Sequence, residues 1–219
     1  MNRFLLIATL VFPCAMNATT VYSAFGTNNS YTAGFISPVY NDIDADEFSP
    51  SSSGYLNQIT LALGVSEIAD APSYADIFIY ANNGGEPGTI LEEIKADAGS
   101  FNDADDDPSA LLVTVNSVLA PYLSSGQSYW LGVSAVAPGT NPIELFGGAT
   151  GLQPGKLEET FYQGAWVLNS PQPSLAIAAS ITVSSNPPAP EPATFILLGT
   201  SLLGVVLMRR RAGAVKLQM

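Results

Sequence analysis

Two stretches of this chain alternate apolar and polar residues with a period of two. From Tyr55 to Val65, the residues Tyr55, Asn57, Ile59, Leu61, Leu63 and Val65 share one side of an extended backbone, and Leu56, Gln58, Thr60 and Ala62 share the other. Leu175, Ile177, Ala179, Ile181 and Val183 alternate in the same way with Ala176, Ala178, Ser180 and Thr182. Successive side chains of a strand point to opposite faces, so this period predicts β-strands with one buried face. Shorter candidates are Tyr74–Tyr80, Thr89–Ile94, Leu111–Asn116, Ser128–Val136, Ile143–Phe146 and Thr160–Leu168. They are separated by turn-forming sequence: residues 82–88 (NNGGEPG), 105–108 (DDDP), Pro121 and Gly147-Gly148. No run of ten residues between Thr19 and Ser185 keeps the period of a helix. Short strands at regular spacing predict an all-β, antiparallel sandwich or barrel. The roughly 165 residues from 19 to 185 suffice for one core of that kind.

Charge narrows the function classes. The 219-residue chain has seven Lys and Arg against nineteen Asp and Glu, a net charge of −12, and no histidine. Between Thr19 and Pro190 only Lys95 and Lys156 stand against eighteen acids, a net −16. Such a body repels phosphate backbones, which rules out nucleic acid as a partner. The missing histidine removes Ser-His-Asp and Cys-His nucleophiles and every imidazole-bound zinc. The single cysteine, Cys14, falls in an N-terminal apolar run, so the exported body has neither a disulfide nor a thiolate.

The remaining positive charge lies at the two ends. Arg3 precedes an apolar stretch, Phe4 to Pro13, and then the small and polar residues Cys14-Ala15-Met16-Asn17-Ala18. This order is that of a secretory signal peptide over residues 1–18, cut by signal peptidase after Ala18. Pro13 before Cys14 disfavours a lipoprotein signal. At the other end Ala193 to Met208 is sixteen residues without a charge, followed by Arg209-Arg210-Arg211 and Lys216. A helix of that length covers about 24 Å, short of a ~30 Å hydrocarbon core but within what snorkelling and local thinning absorb. The arginines place residues 209–219 in the cytoplasm and, in agreement with the signal peptide, the body outside. Residues 186–192 (NPPAPEP) form a stiff extended linker, because four prolines exclude helix and central strand.

Pro190-Glu191-Pro192, an apolar segment and Arg209-Arg210-Arg211 in this order resemble the PEP-CTERM sorting tail, over residues 190 to 211. The resemblance implies a Gram-negative source and processing by exosortase, a membrane-embedded cysteine transpeptidase. Eight residues after Arg211 make a longer end than usual in that family. Ile77-Phe78-Ile79-Tyr80 leading into residues 83–89 (NGGEPGT), with Ser128-Tyr129-Trp130-Leu131 and Gly164-Ala165-Trp166, resembles secreted choice-of-anchor bodies. That second resemblance implies a jelly-roll-like sandwich and no catalytic residues.

Two acidic clusters are candidate calcium ligands, Asp42, Asp44 and Asp46 in one and Asp103, Asp105 and Asp107 in the other. Carboxylates at this density suit a cation that takes six to eight oxygens. Neither cluster has the Gly and Glu of an EF-hand, so binding is expected to be weak if it occurs at all, and a solvated acidic loop is the favoured explanation of the composition. Trp130 and Trp166 are candidate glycan contacts. Trp130 falls on the face opposite Tyr129, Leu131 and Val133, and so points outward or is covered by another element. A pair of carboxylates can hydrolyse glycosides, but eighteen acids bring some pair together by chance, and no phosphate loop is present.

These features predict a non-catalytic exported protein with no required cofactor. It passes through an inner-membrane intermediate with its body in the periplasm, then to the cell surface or an exopolysaccharide matrix. Its partners would be the export machinery, exosortase, the membrane and extracellular polysaccharide. A carbohydrate-binding module, or a secreted glycoside hydrolase, is the alternative.

Overall fold

The computed structural model describes residues 17–36, 43–65, 74–97, 102–103, 112–136, 143–148, 158–162, 165–168 and 176–187. Residues 1–16 of the expected signal peptide 1–18, the sorting motif, the apolar segment 193–208 and the basic end lie outside them. The chain divides into two units, Met1–Asn186 and Pro187–Met219, and every described strand belongs to the first.

The strands, in chain order, are β1 (Ala18–Ser23), β2 (Tyr31–Ile36), β3 (Ile43–Phe48), β4 (Gly54–Val65), β5 (Tyr74–Asn83), β6 (Glu86–Asp97) and β7 (Asn102–Asp103), then β8 (Leu112–Asn116), β9 (Tyr122–Leu123), β10 (Tyr129–Val136), β11 (Ile143–Gly148), β12 (Glu158–Tyr162), β13 (Ala165–Leu168) and β14 (Ala179–Ser184). The only helix among the described residues is a 3-10 turn, Thr27–Asn29, and none is long and apolar enough to cross a membrane. The expectation of an all-β body therefore holds.

The strands form two sheets. One has eight strands and runs β1-β14-β4-β11-β2, with β7, β8 and β9 also paired to β4. The other has six, in the order β13-β12-β3-β10-β5-β6, and is antiparallel throughout. The eight-stranded sheet departs from antiparallel pairing at one place, the two-residue parallel pairing of β4 with β7. Ile59, Leu61, Leu63, Val113, Val115, Ile181 and Val183 of the first sheet share one core with Phe48, Ile77, Ile79, Ile94, Leu131 and Val133 of the second. The sheets therefore pack face to face in a β-sandwich-like body, and burial of these side chains drives the packing.

Departures from the expected strands have local causes. Tyr55 and Ile59 do not share a face, because β4 carries a bulge. Thr182 pairs with Gln58 but Val183 with Leu56, so Asn57 is the extra residue and Leu56 becomes the core side chain. The single strand expected over Thr160–Leu168 is instead a pair, β12 and β13, with Tyr162 opposite Ala165. Gly164, within that run, is a turn signal. Strands β1, β2 and β3 escape the pattern search because their residues are short, polar or acidic (ATTVYS, YTAGFI, IDADEF).

The turn at 82–88 behaves as expected. Asn83 pairs with Glu86 across Gly84 and Gly85, whose φ values of +70° and +102° only glycine adopts without strain. The Gly85 N–H donates to Asn82 Oδ1 at 3.0 Å.

Candidate functional site

The acidic cluster is not a loop over residues 43–47. Residues 43–47 lie in β3, between β12 and β10 in the interior of the six-stranded sheet. Asp44 is directly opposite Val133, and Asp46 opposite Leu131. Both partners are core residues, so the two carboxylates face the space between the sheets and are buried. This corrects the reading of a solvated acidic loop. The period-two spacing of Asp44, Asp46 and Phe48 is a strand signal, and the strand points all three inward.

A carboxylate in such a place needs donors, because losing water costs several kcal/mol. The Ile177 backbone N–H, just before β14 in the opposite sheet, donates to Asp46 Oδ2. Tyr22 is buried in the same core, and its hydroxyl pKa is raised, first by burial and second by the Asp46 charge. Asp46 is thus a tie from one sheet to the backbone of the other. Asp103 lies in β7 of the eight-stranded sheet, whereas Asp44 and Asp46 belong to the six-stranded one. Asp42, Asp105 and Asp107 lie outside the described residues. Among the described residues no group of three acids converges as a metal site.

A second inward carboxylate does similar work and stood out less in the sequence. Glu92 in β6 falls in the buried row with Ile94 and Ala96 and has no exposed surface. Its Oε2 accepts the Ser117 hydroxyl, and its Oε1 accepts the backbone N–H groups of Val118 and, at 2.9 Å, Leu119. The Ala120 N–H in turn donates to Ser117 Oγ at 2.9 Å. Residues 117–121 connect β8 to β9, so Glu92 reaches from one sheet to hold a connection of the other. The signal was present: an acid two and four residues before Ile94 and Ala96 occupies a core position of a strand.

Trp130 has no exposed surface. It lies on the face of the six-stranded sheet away from the main core, within a smaller cluster of Ala45, Phe78 and Tyr80, against which Ile43 and Trp166 pack. Its Nε1 donates to Asn82 Oδ1 at 3.2 Å, joining it to the β5–β6 turn. Of the two expected outcomes, outward or covered, the second holds, and Trp130 presents no ring face to a glycan. Trp166 is half-buried and meets Tyr80 edge-on, with ring centroids 5.6 Å apart and planes at 83°. Gly132 completes the cluster: a Cβ there would come within 2.8 Å of Tyr80 Cε2. Burial, ahead of the charges of Glu93 and Asp76, raises the Tyr80 hydroxyl pKa. Trp130, Phe78 and Tyr80 are packing, the commoner use of large rings.

Among the described residues Lys95 pairs with two carboxylates of this sheet, Asp76 and, at 3.9 Å, Glu93 Oε1. Lys95 Nζ is 3.4 Å from Asp76 Oδ1 and 4.1 Å above the Tyr74 ring. Burial raises the Asp76 pKa, and Lys95 opposes that shift.

The expected sorting residues Pro190, Glu191, Pro192, Arg209, Arg210 and Arg211 lie outside the described residues, so their reading rests on sequence. Residues 188–211 match the family model of the PEP-CTERM protein-sorting motif. No curated protein matches the chain.

Proposed function

Because the chain carries a PEP-CTERM protein-sorting motif, which marks proteins sorted to the cell surface through exosortase, we propose that it is a non-catalytic surface or matrix protein of a Gram-negative bacterium. The observation that carries this reading is the match over 188–211, in which Pro190-Glu191-Pro192, an uncharged run and three arginines follow one another. The signal peptide takes the body across the inner membrane. The apolar segment 193–208 then stops transfer, held by arginines that each cost about 2.5–3.5 kcal/mol at the bilayer centre. That cost keeps Glu191, between two prolines, at the outer face, where a membrane-embedded enzyme can process an extended segment without unfolding the body. The mature protein continues to the surface or the exopolysaccharide layer. The burial of Asp46 and Glu92 supports a non-catalytic body, since their described bonds are to structural partners.

The test is the C-terminal mass of the surface-displayed protein, expressed with and without exosortase. Loss of residues through Met219 only when the enzyme is present is expected. Retention of Arg209–Met219 in its presence would make the tail an ordinary membrane anchor and refute the reading.

A further inference from the structure

The acids are distributed very unequally between the sheets. Strands β3, β5, β6 and β12 of the six-stranded sheet carry ten acids and Lys95. In the eight-stranded sheet the acids are Asp103 of β7 and Glu144 of β11, and strands β1, β4, β8, β9 and β14 carry no charged residue at all, in a body whose net charge is −16. Average globular sequence is about 25% charged, so five strands with none are a marked departure.

Register shows what these uncharged strands display on the side away from the core. Ser23 is opposite Ser180, Ser180 opposite Thr60, and Thr60 opposite Thr114. Thr20, Thr182, Gln58 and Asn116 form the next row in the same way. Beyond them Tyr55 pairs with Tyr122. With strands about 4.8 Å apart and rows about 6.8 Å apart, the face is roughly 14 Å in each direction. It consists of hydroxyls, amides and one tyrosine pair.

The side chains are already ordered. Thr60 Oγ1 and Thr114 Oγ1 are 3.0 Å apart, and Gln58 Nε2 donates to Asn116 Oδ1 at 3.1 Å. Each pair keeps capacity after its internal bond: a hydroxyl hydrogen and lone pairs in one, the Gln58 carbonyl and the Asn116 amide hydrogens in the other. The tyrosine rings meet edge-on at 5.1 Å and 73°, and Tyr122 remains 53% exposed. The β8–β9 connection that leads to Tyr122 is the one Glu92 holds.

We propose that this face docks a neutral polysaccharide chain. A hydroxylated, uncharged polymer matches it in kind, since sugar hydroxyls both donate and accept, and ring C–H surfaces rest on tyrosine. Charge complementarity selects against the alternatives. An anionic polymer or lipid surface meets a strongly negative body with no cation on this face to offset it. Prearranged side-chain pairs lower the ordering cost of binding. The proposal rests on the exported reading only for where the polymer is met, since binding is read on purified protein without the sorting step.

The experiment measures retention of the full-length chain, in detergent micelles, on insoluble cellulose, on amylose and on a polyuronate gel. Retention on at least one neutral polymer and not on the polyuronate is expected. Thr114→Glu and Asn116→Asp, each placing a charge at an exposed strand position, should lower retention at least tenfold, as should Tyr122→Ala. Glu93→Gln on the other sheet should leave it unchanged, and melting curves show that each variant is folded. The proposal is overturned if neither neutral polymer retains the chain, if the polyuronate retains it equally, or if the face variants bind as wild type. It is also overturned if sedimentation shows a self-associated chain that Thr114→Glu dissociates, because a second copy would then cover the face. Processing is read on the C-terminal mass, so either proposal can fail alone.

Discussion

Replacing Glu92 by alanine tests whether a buried carboxylate closes the edge between the two sheets. The wild-type side chain accepts three hydrogen bonds, from Ser117 Oγ and the N–H groups of Val118 and Leu119. A hydrogen bond to a charged group is worth about 1.5–3 kcal/mol net. Two considerations reduce the sum. Val118 and Leu119 are 78% and 70% exposed, so water can recover their freed N–H groups, and the alanine no longer buries a charge. The remaining loss is about 3 kcal/mol, which for a domain of this size lowers Tm by roughly 6–12 °C. Glu92→Gln keeps an acceptor for the two N–H groups and turns an amide toward Ser117, which can accept from it, so its loss should be only about 1 kcal/mol. Thermal unfolding followed through the fluorescence of buried Trp130, with amide exchange at Val118 and Leu119, reads both the global and the local effect. Exchange at those two amides should accelerate in Glu92→Ala ahead of the core strands. A Tm within about 2 °C of wild type, or equal losses in the two variants, would refute the reasoning.

Gly132→Ala should destabilise by about 1–3 kcal/mol, because its Cβ would lie 2.8 Å from Tyr80 Cε2 and 3.1 Å from Ile43 Cγ2 in a filled cluster; chemical denaturation reads this directly. Asp76 has a folded-state pKa raised above its ordinary 3.8, chiefly by burial, so the folded protein binds the proton more tightly than the unfolded chain. Its contribution therefore falls as pH rises through the window above 3.8, and the advantage of Asp76→Asn over wild type should be larger at neutral pH than in acid, as pH-dependent denaturation midpoints will report. Calcium should leave the Tm close to its metal-free value, because Asp44 and Asp46 face the core; a saturable stoichiometric heat in calorimetry with a marked rise in Tm would restore the acidic clusters as a site.

The amino-acid sequence alone determined what depends on local order: the β character of the body, the glycine turn at 84–85 and the sorting tail. A period of two needs no partner to be recognised, and a sorting motif is read by its enzyme as linear sequence. Glu92 could be placed in the buried row from its spacing to Ile94 and Ala96, but whether the acids of β3 are wet or buried was not legible, because composition does not say which face of a strand meets the other sheet. Asp44 and Asp46 looked like a solvated loop until their pairing with Val133 and Leu131 turned them inward. Trp130 could be placed on its face from the alternation in β10, but only the packing of Tyr80 and Trp166 decided that this face was closed. The bulge at Asn57 shifted Leu56 into the core, since one added residue exchanges the faces of a strand. The uncharged face emerges only when β1, β14, β4 and β8 lie side by side. Their residues are up to about 165 positions apart in the chain, and register in the sheet is what makes separate threonines, amides and tyrosines one surface.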